Sequence, residues 1–228
     1  MKNISRMMVI IISFGISSCA TVYVPNAVNM PMLDKAADVQ IGGYGGRGGF
    51  DLQGAAAITD NLAIMVNGAY INQPVDSSDY MKRKFGEVAL GYYKKTSEAG
   101  RFDVFIGYGI GKTSTRDTYE FIGVNTDYVE GSYSRIFLRP GFGWEGELID
   151  VSWAFRICYV RVSSFKSEGL HVNYNKESMF YEPAVTVRIG TPTVKFSVQG
   201  GFSFCPQKAF VDDSSFILNA GIVVNLFN

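Results

Sequence analysis

Ile149-Asp150-Val151-Ser152-Trp153-Ala154-Phe155-Arg156-Ile157-Cys158-Tyr159-Val160-Arg161 sets large apolar side chains against small, polar or charged ones at every second position. Successive side chains of a strand point to opposite faces, whereas at helical spacing polar residues would interrupt every face. The stretch is read as a strand with two unlike faces. The same alternation recurs at 216–226 (Phe216, Leu218, Ala220, Ile222, Val224, Leu226), 179–189 (Met179 to Ile189), 194–204 (Val194 to Phe204), 102–110 and 136–144. Weaker alternation covers 39–47, 50–58, 62–71 and 85–95, which brings the expected number of strands to ten.

The connections fall into two kinds. Thr59-Asp60-Asn61, Ser97-Glu98-Ala99-Gly100, Gly146 and Gly190-Thr191-Pro192 are tight turns, while about 72–83, 113–131, 163–178 and 205–214 read as long polar loops. After a first short turn near Arg47 the two kinds alternate strictly. Short turns on one side and long loops on the other are the pattern of an up-and-down antiparallel transmembrane β-barrel. The expected fold is therefore all-β, a barrel of ten strands, or of eight if the Gly-rich stretch 39–50 stays outside it. An even strand number places both termini on the short-turn side, the side on which a lipid-anchored N-terminus is expected. Length agrees: an apolar band about 25 Å tall, crossed at about 40°, needs roughly 10 residues per strand.

Alternation alone does not say which face points outward; composition does. Only 18% of the residues are charged, against about 25% in a soluble domain. Gly numbers 25, and Phe and Tyr together 30. The face opposite the aromatics carries Ala55, Ala57, Gly107, Gly109, Gly141, Gly143, Ala154, Ala184, Ser197 and Gly201, which cannot solvate an exterior but fit a narrow lumen. Its charges have both signs: Glu87, Asp103 and Glu182 against Arg135, Arg139, Arg156, Arg188 and Lys195. An unpaired charge there would be expensive, so these eight are expected to form a paired network that closes the lumen. An ion-conducting or ligand-binding path is the alternative. Tyr92, Tyr108, Tyr159, Tyr181, Trp144 and Trp153 are candidates for interfacial girdles, Trp144 beside a short turn above all. A formal net charge of zero with no basic cluster argues against nucleic-acid binding.

The first residues read as an address. Lys2 and Arg6 precede the short apolar run Met7 to Gly15, which ends at Ile16-Ser17-Ser18-Cys19. An aliphatic residue and two small ones before Cys resemble the lipobox of bacterial lipoproteins. That resemblance implies cleavage before Cys19 and its lipidation, and Ala20 in place of Asp implies onward export to the outer membrane. Residues 1–18 are then a signal peptide, 19–38 a lipid-anchored periplasmic tether broken by Pro25 and Pro31, and 39–228 the barrel. Loss of Lys2 and Arg6 leaves 19 bases and 21 acids, a net charge of −2. With Val22-Tyr23-Val24-Pro25, Pro31-Met32-Leu33, Val39-Gln40-Ile41-Gly42 and the hairpin Ile58-Thr59-Asp60-Asn61-Leu62, the chain resembles the lipid-anchored outer-membrane β-barrel proteins of Bacteroidetes-type bacteria. The resemblance implies an outer-membrane location, with membrane lipid and lipopolysaccharide as surroundings, and carries no catalytic motif. Phe216 to Phe227 resembles the terminal strand recognised by the barrel assembly machinery, although Asn228 follows the aromatic.

Sequences that resemble chemistry are better read as architecture. Gly43-Tyr44-Gly45-Gly46-Arg47-Gly48 fits a dinucleotide fingerprint, but strand, not helix, follows. Gly107, Gly109 and Gly111 share one face and make room for lumen side chains. His171, near Ser167, Glu168 and Ser178, permits a lipid A acyl-transfer reading, without a matching motif. One His and scattered Cys offer no metal-ligand spacing, and no cofactor is expected. Cys158 and Cys205 are expected as free thiols. The function expected is non-enzymatic: envelope structure, or adhesion to an extracellular ligand through the loops.

Overall fold

The computed structural model describes residues 23–46, 49–74, 80–118, 126–167, 170–172, 176–206 and 214–226. The strands are β1 (Val39–Gly46), β2 (Gly49–Ala57), β3 (Leu62–Pro74), β4 (Tyr80–Lys95), β5 (Gly100–Thr118), β6 (Thr126–Trp144), β7 (Ile149–Ser167), β8 (Leu170–Val172), β9 (Lys176–Gly190), β10 (Val194–Phe204) and β11 (Ser214–Leu226). β8 is a three-residue extension paired with the outer end of β7. The other ten close an up-and-down antiparallel barrel: β7 pairs with both β6 and β9, and β1 pairs with both β2 and β11. The Gly-rich stretch thus lies inside the ladder, and the barrel has ten strands. Each of the ten barrel strands, among the described residues, pairs on both sides, which is what a sheet needs where water cannot satisfy its backbone.

Burial assigns the faces. Along β7, Trp153 is 51% exposed and Ala154 0%. The exterior carries large apolar side chains, among them Leu52, Val66, Leu90, Ile106, Ile136, Phe142, Phe196 and Ile222, each exposed. A soluble protein rarely shows an apolar surface of this extent. Trp144 stands exposed at the end of β6, beside the turn to β7.

The two rims differ as the connections foretell, but the long side is built differently. Much of the expected loops is strand: the β3–β4 ladder runs out to Pro74 opposite Tyr80, and the β5–β6 ladder to Thr118 opposite Thr126. A two-stranded ribbon continues its hydrogen bonds after the apolar pattern stops, so polarity ends the band and not the strand. The long rim is uneven. β5, β6 and β7 have 19 residues each, whereas β1 has 8 and β2 has 9.

Residues 23–33, expected to belong to a periplasmic tether, lie inside the barrel. Tyr23, Asn26, Ala27, Val28, Asn29, Met30, Met32 and Leu33 are all buried. The chain turns at the short-turn rim, where Asp38 Oδ2 accepts from the backbone N–H groups of Asp34 (2.9 Å) and Lys35 (3.0 Å), and Ala37 takes a left-handed φ of 70°. β1 therefore does start on the short-turn side, while the chain before it runs back up the lumen.

Candidate functional site: a lumen filled by the N-terminal segment

A peptide segment enclosed by a barrel has no neighbouring strand of its own, so its backbone groups must find side chains or remain unsatisfied. The wall supplies them at each level. At the short-turn rim Asp34 is paired with Lys95 (2.9 Å) and Arg101 (3.5 Å), and Arg101 with Glu145 (2.6 Å). Above it, Arg188 donates to the Met30 carbonyl at 2.6 Å. Met32 packs against Gly143, where a β-carbon would meet its methyl at 2.8 Å.

At mid-height the carboxamide of Gln199 accepts from the Val28 N–H (2.7 Å) and donates to the Val28 carbonyl (2.8 Å). A primary amide presents the same donor and acceptor pair as a peptide group, so Gln199 stands in for a strand partner. Ala27 is held likewise, its N–H by Asp51 (3.0 Å) and its carbonyl by Gln53 (2.9 Å). Asn29 donates to Asn67 at 2.7 Å.

Nearer the long rim lies a charged knot. Arg135 grips Glu87 through Nε (3.1 Å) and Nη2, and also donates to Tyr23 (2.7 Å) and to Asn26 Oδ1 (2.7 Å). Arg156 donates to Glu182 (2.5 Å) and to both oxygens of Asn26 (3.1 Å each). The Tyr23 hydroxyl donates to Glu182 at 2.8 Å. Its ring packs on Tyr133 and Phe180. Arg135 also faces the rings of Phe85 and Phe137, at 4.4 and 5.5 Å from their centroids. Hydrogen bonds to charged groups contribute roughly 1.5–3 kcal/mol each, so the knot holds the segment as well as the wall.

All eight charges singled out on the inward face are buried. Glu87 meets Arg135, Glu182 meets Arg156, Asp103 meets Arg139 at 2.6 Å, and Arg188 holds the segment. Lys195 pairs with Asp150 at 2.6 Å. Sequence reasoning left out Asp150, Asp51, Arg83 and Arg101. The first follows from the pattern itself, since Asp150 shares the inward set with Ser152 and Ala154. What was missed most is that wall charges bind a chain segment and not only each other. The inward amides Gln53, Asn67 and Gln199 were the available signal.

Elsewhere the residues considered for chemistry are separated or lie beyond description. Cys19 and Glu168 are outside the described residues. The backbone of His171 lies in β8 opposite Lys166, and Ser178 faces the lumen. Cys158 and Cys205 are both buried and not joined. Among the described residues no group of three or more His, Cys, Asp or Glu is placed to hold a metal ion. Across β4 to β7 runs an open groove of about 780 Å³ lined by Lys84, Lys112, Ser132 and Arg161 together with the apolar Tyr108 and Ile110.

No protein-family model matches the chain, and no curated protein does. Among solved structures, the translocator domain of the autotransporter NalP from Neisseria meningitidis is similar at a TM-score of 0.44 and 12% identity, over 98% of this chain and 94% of that one. The outer membrane protease OmpT from Escherichia coli is similar at a TM-score of 0.49 and 13% identity, over 86% and 99%. By its own pairing and burial the chain is a closed ten-strand antiparallel β-barrel with an apolar outer wall.

Proposed function

We propose that this protein is a self-plugged outer-membrane β-barrel, lipid-anchored at Cys19, with a structural or binding role in the envelope and no enzymatic one. The observation that carries this reading is the lumen. Residues 23–33 fill it, and wall side chains satisfy the backbone of Ala27 and Val28 on both the N–H and the carbonyl side. A pore needs an open path, and this barrel devotes its interior to holding its own chain. The apolar exterior supports membrane insertion, and the lipobox likeness at Ile16 to Cys19 supports anchoring as in the Bacteroidetes-type proteins. The long hairpins of β3 to β7 then face outward and present the surface on which a partner would be met. The cationic side chains Lys84, Lys112 and Arg161 along one groove support the proposed lipopolysaccharide surroundings, whose phosphates are anionic.

Planar-bilayer recording tests the reading. The full chain is expected to be silent, whereas a chain lacking residues 22–33 but retaining Cys19 is expected to give stepwise currents. Steady conductance from the full chain would overturn it.

A further inference from the structure

The outer wall changes character at one height on β4 to β7. On β5 the outward positions run Phe102, Val104, Ile106, Tyr108 and Ile110 before Lys112. From Phe102 to Lys112 is ten residues. At about 3.3 Å each and a tilt of about 40°, that is a climb of about 25 Å, the height of a typical apolar band. On β7 the same ten residues lead from exposed Val151 to exposed Arg161. These cations therefore stand where hydrocarbon gives way to headgroups.

Two features distinguish the place from an ordinary end of the band. The first is like charge. Lys84 of β4 lies directly opposite Lys112 of β5, and both are exposed; like charges so placed repel. Glu130 meets Lys112 at 2.6 Å and Glu177 stands 4.0 Å from Arg161, but neither carboxylate lines the groove here, whose described lining holds three cations and no acid. The second is missing bulk. Lower on the same strands the outward positions carry Val88, Tyr108 and Ile136, whereas the groove has Gly86, Ser132 and Ser134. A β-carbon on Gly86 would meet nothing within 4 Å, so the wall is open there. Ile110 lies opposite both Gly86 and Ser134, and Arg161 lies opposite Ser134 on the far side. The groove of about 780 Å³ is thus apolar along Tyr108 and Ile110 and cationic one outward position higher, and it has the size of a small-molecule site.

We infer that this groove binds one phosphorylated glycolipid of the outer leaflet, lipid A, with a phosphate between Lys84, Lys112 and Arg161 and an acyl chain lying over Gly86 along Ile110 and Tyr108. A phosphate accepts charge-assisted hydrogen bonds from ammonium and guanidinium groups alike, and it removes the repulsion within the lysine pair. The acyl chain fills the notch that the small residues leave in the wall. This rests on the proposed outer-membrane barrel with its long hairpins outward, because in that orientation the leaflet at this height is the lipopolysaccharide one.

Native mass spectrometry of the detergent-solubilised full chain, titrated with purified bis-phosphorylated lipid A, tests the site. One lipid A is expected to stay bound per barrel. Lys84→Gln combined with Lys112→Gln is expected to weaken binding about thirtyfold. Gly86→Leu keeps every charge and fills the notch, and is expected to weaken binding as well, while both variants retain a heat-dependent gel shift. Dephosphorylated lipid A is expected to bind the parent no better than lipid A binds the lysine variant, and phosphatidylglycerol at equal concentration is expected not to displace lipid A. Unchanged binding by the lysine variant, or equal binding of dephosphorylated lipid A, overturns the phosphate site. Unchanged binding by Gly86→Leu overturns the groove as its seat, and displacement by phosphatidylglycerol overturns the choice of lipid. A parent that folds and is silent in bilayers yet holds no lipid A overturns this site and leaves the proposed function standing. A parent that conducts, or shows no gel shift, overturns that reading itself.

Discussion

Gly111 and Gly200 show how unequally the glycines of one barrel are constrained. A β-carbon on Gly111 would lie 2.3 Å from Cζ of Tyr133, whereas one on Gly200 would meet nothing within 4 Å. Gly111→Ala must displace a ring that packs on Tyr23, and overpacking of this kind costs about 1–3 kcal/mol. Gly200→Ala is expected to be neutral or slightly stabilising, because the unfolded chain loses freedom. Urea titration in lipid vesicles separates the two, and equal effects would contradict the assigned faces. Glu182 is more exacting. It serves Arg156, Tyr23 and Ser203 while fully buried. Glu182→Gln removes the charge and leaves two guanidinium groups facing one carboxylate, Glu87. Breaking a buried pair costs roughly 3–5 kcal/mol, and the unfolding midpoint is expected to fall accordingly. These charges were legible in the sequence because alternation placed them on the inward face. Their partners were not, since Asn26 and Tyr23 belong to a segment with no period to read.

At the scale of elements, strands and plug differ in how they are encoded. A strand announces itself by alternation because each of its faces meets one environment. The segment 23–33 is surrounded on all sides by wall, so it has no two faces to contrast, and Pro25 and Pro31 make it read as linker. Its structure is written in side chains far along the chain, notably Gln199, 171 positions from Val28. The outer hairpins were obscured for a different reason: above the apolar band both faces of a ribbon meet water, and alternation stops while pairing continues. Gln199→Leu tests the plug as an element. The substitution keeps the bulk and leaves the Val28 N–H and carbonyl unsatisfied, a loss of about 1–3 kcal/mol for each orphaned group. The expected result is a folded barrel with intermittent currents in planar bilayers, where the parent is silent. A silent Gln199→Leu would show that other contacts alone keep the segment in place.

For the molecule as a whole, closure and contents make separable contributions. The ten-strand ladder is continuous around the barrel, and the described hydrogen bonds of the plug reach up the wall to Arg83 of β4, which donates to the Pro25 carbonyl at 3.3 Å. The β5–β6 ribbon beyond Thr113 and Gly131 gives the plug no described hydrogen bond, and the Lys112–Glu130 pair at its base has an exposed ammonium, so its loss is expected to cost about 0–1 kcal/mol. Replacing residues 114–130 by an Asn-Gly turn is therefore expected to leave a barrel that resists SDS unheated, shifts on a gel after boiling, and stays silent in bilayers. Trimming one step further, through Gly111 and Tyr133, removes the ring against which Tyr23 packs. That shorter barrel is expected to retain its heat-dependent gel shift but to conduct, since the strands still close while the upper end of the plug has lost its seat. If the first truncation already abolished the gel shift, the outer ribbon would be part of what holds the barrel together, and the separation of wall from contents would fail.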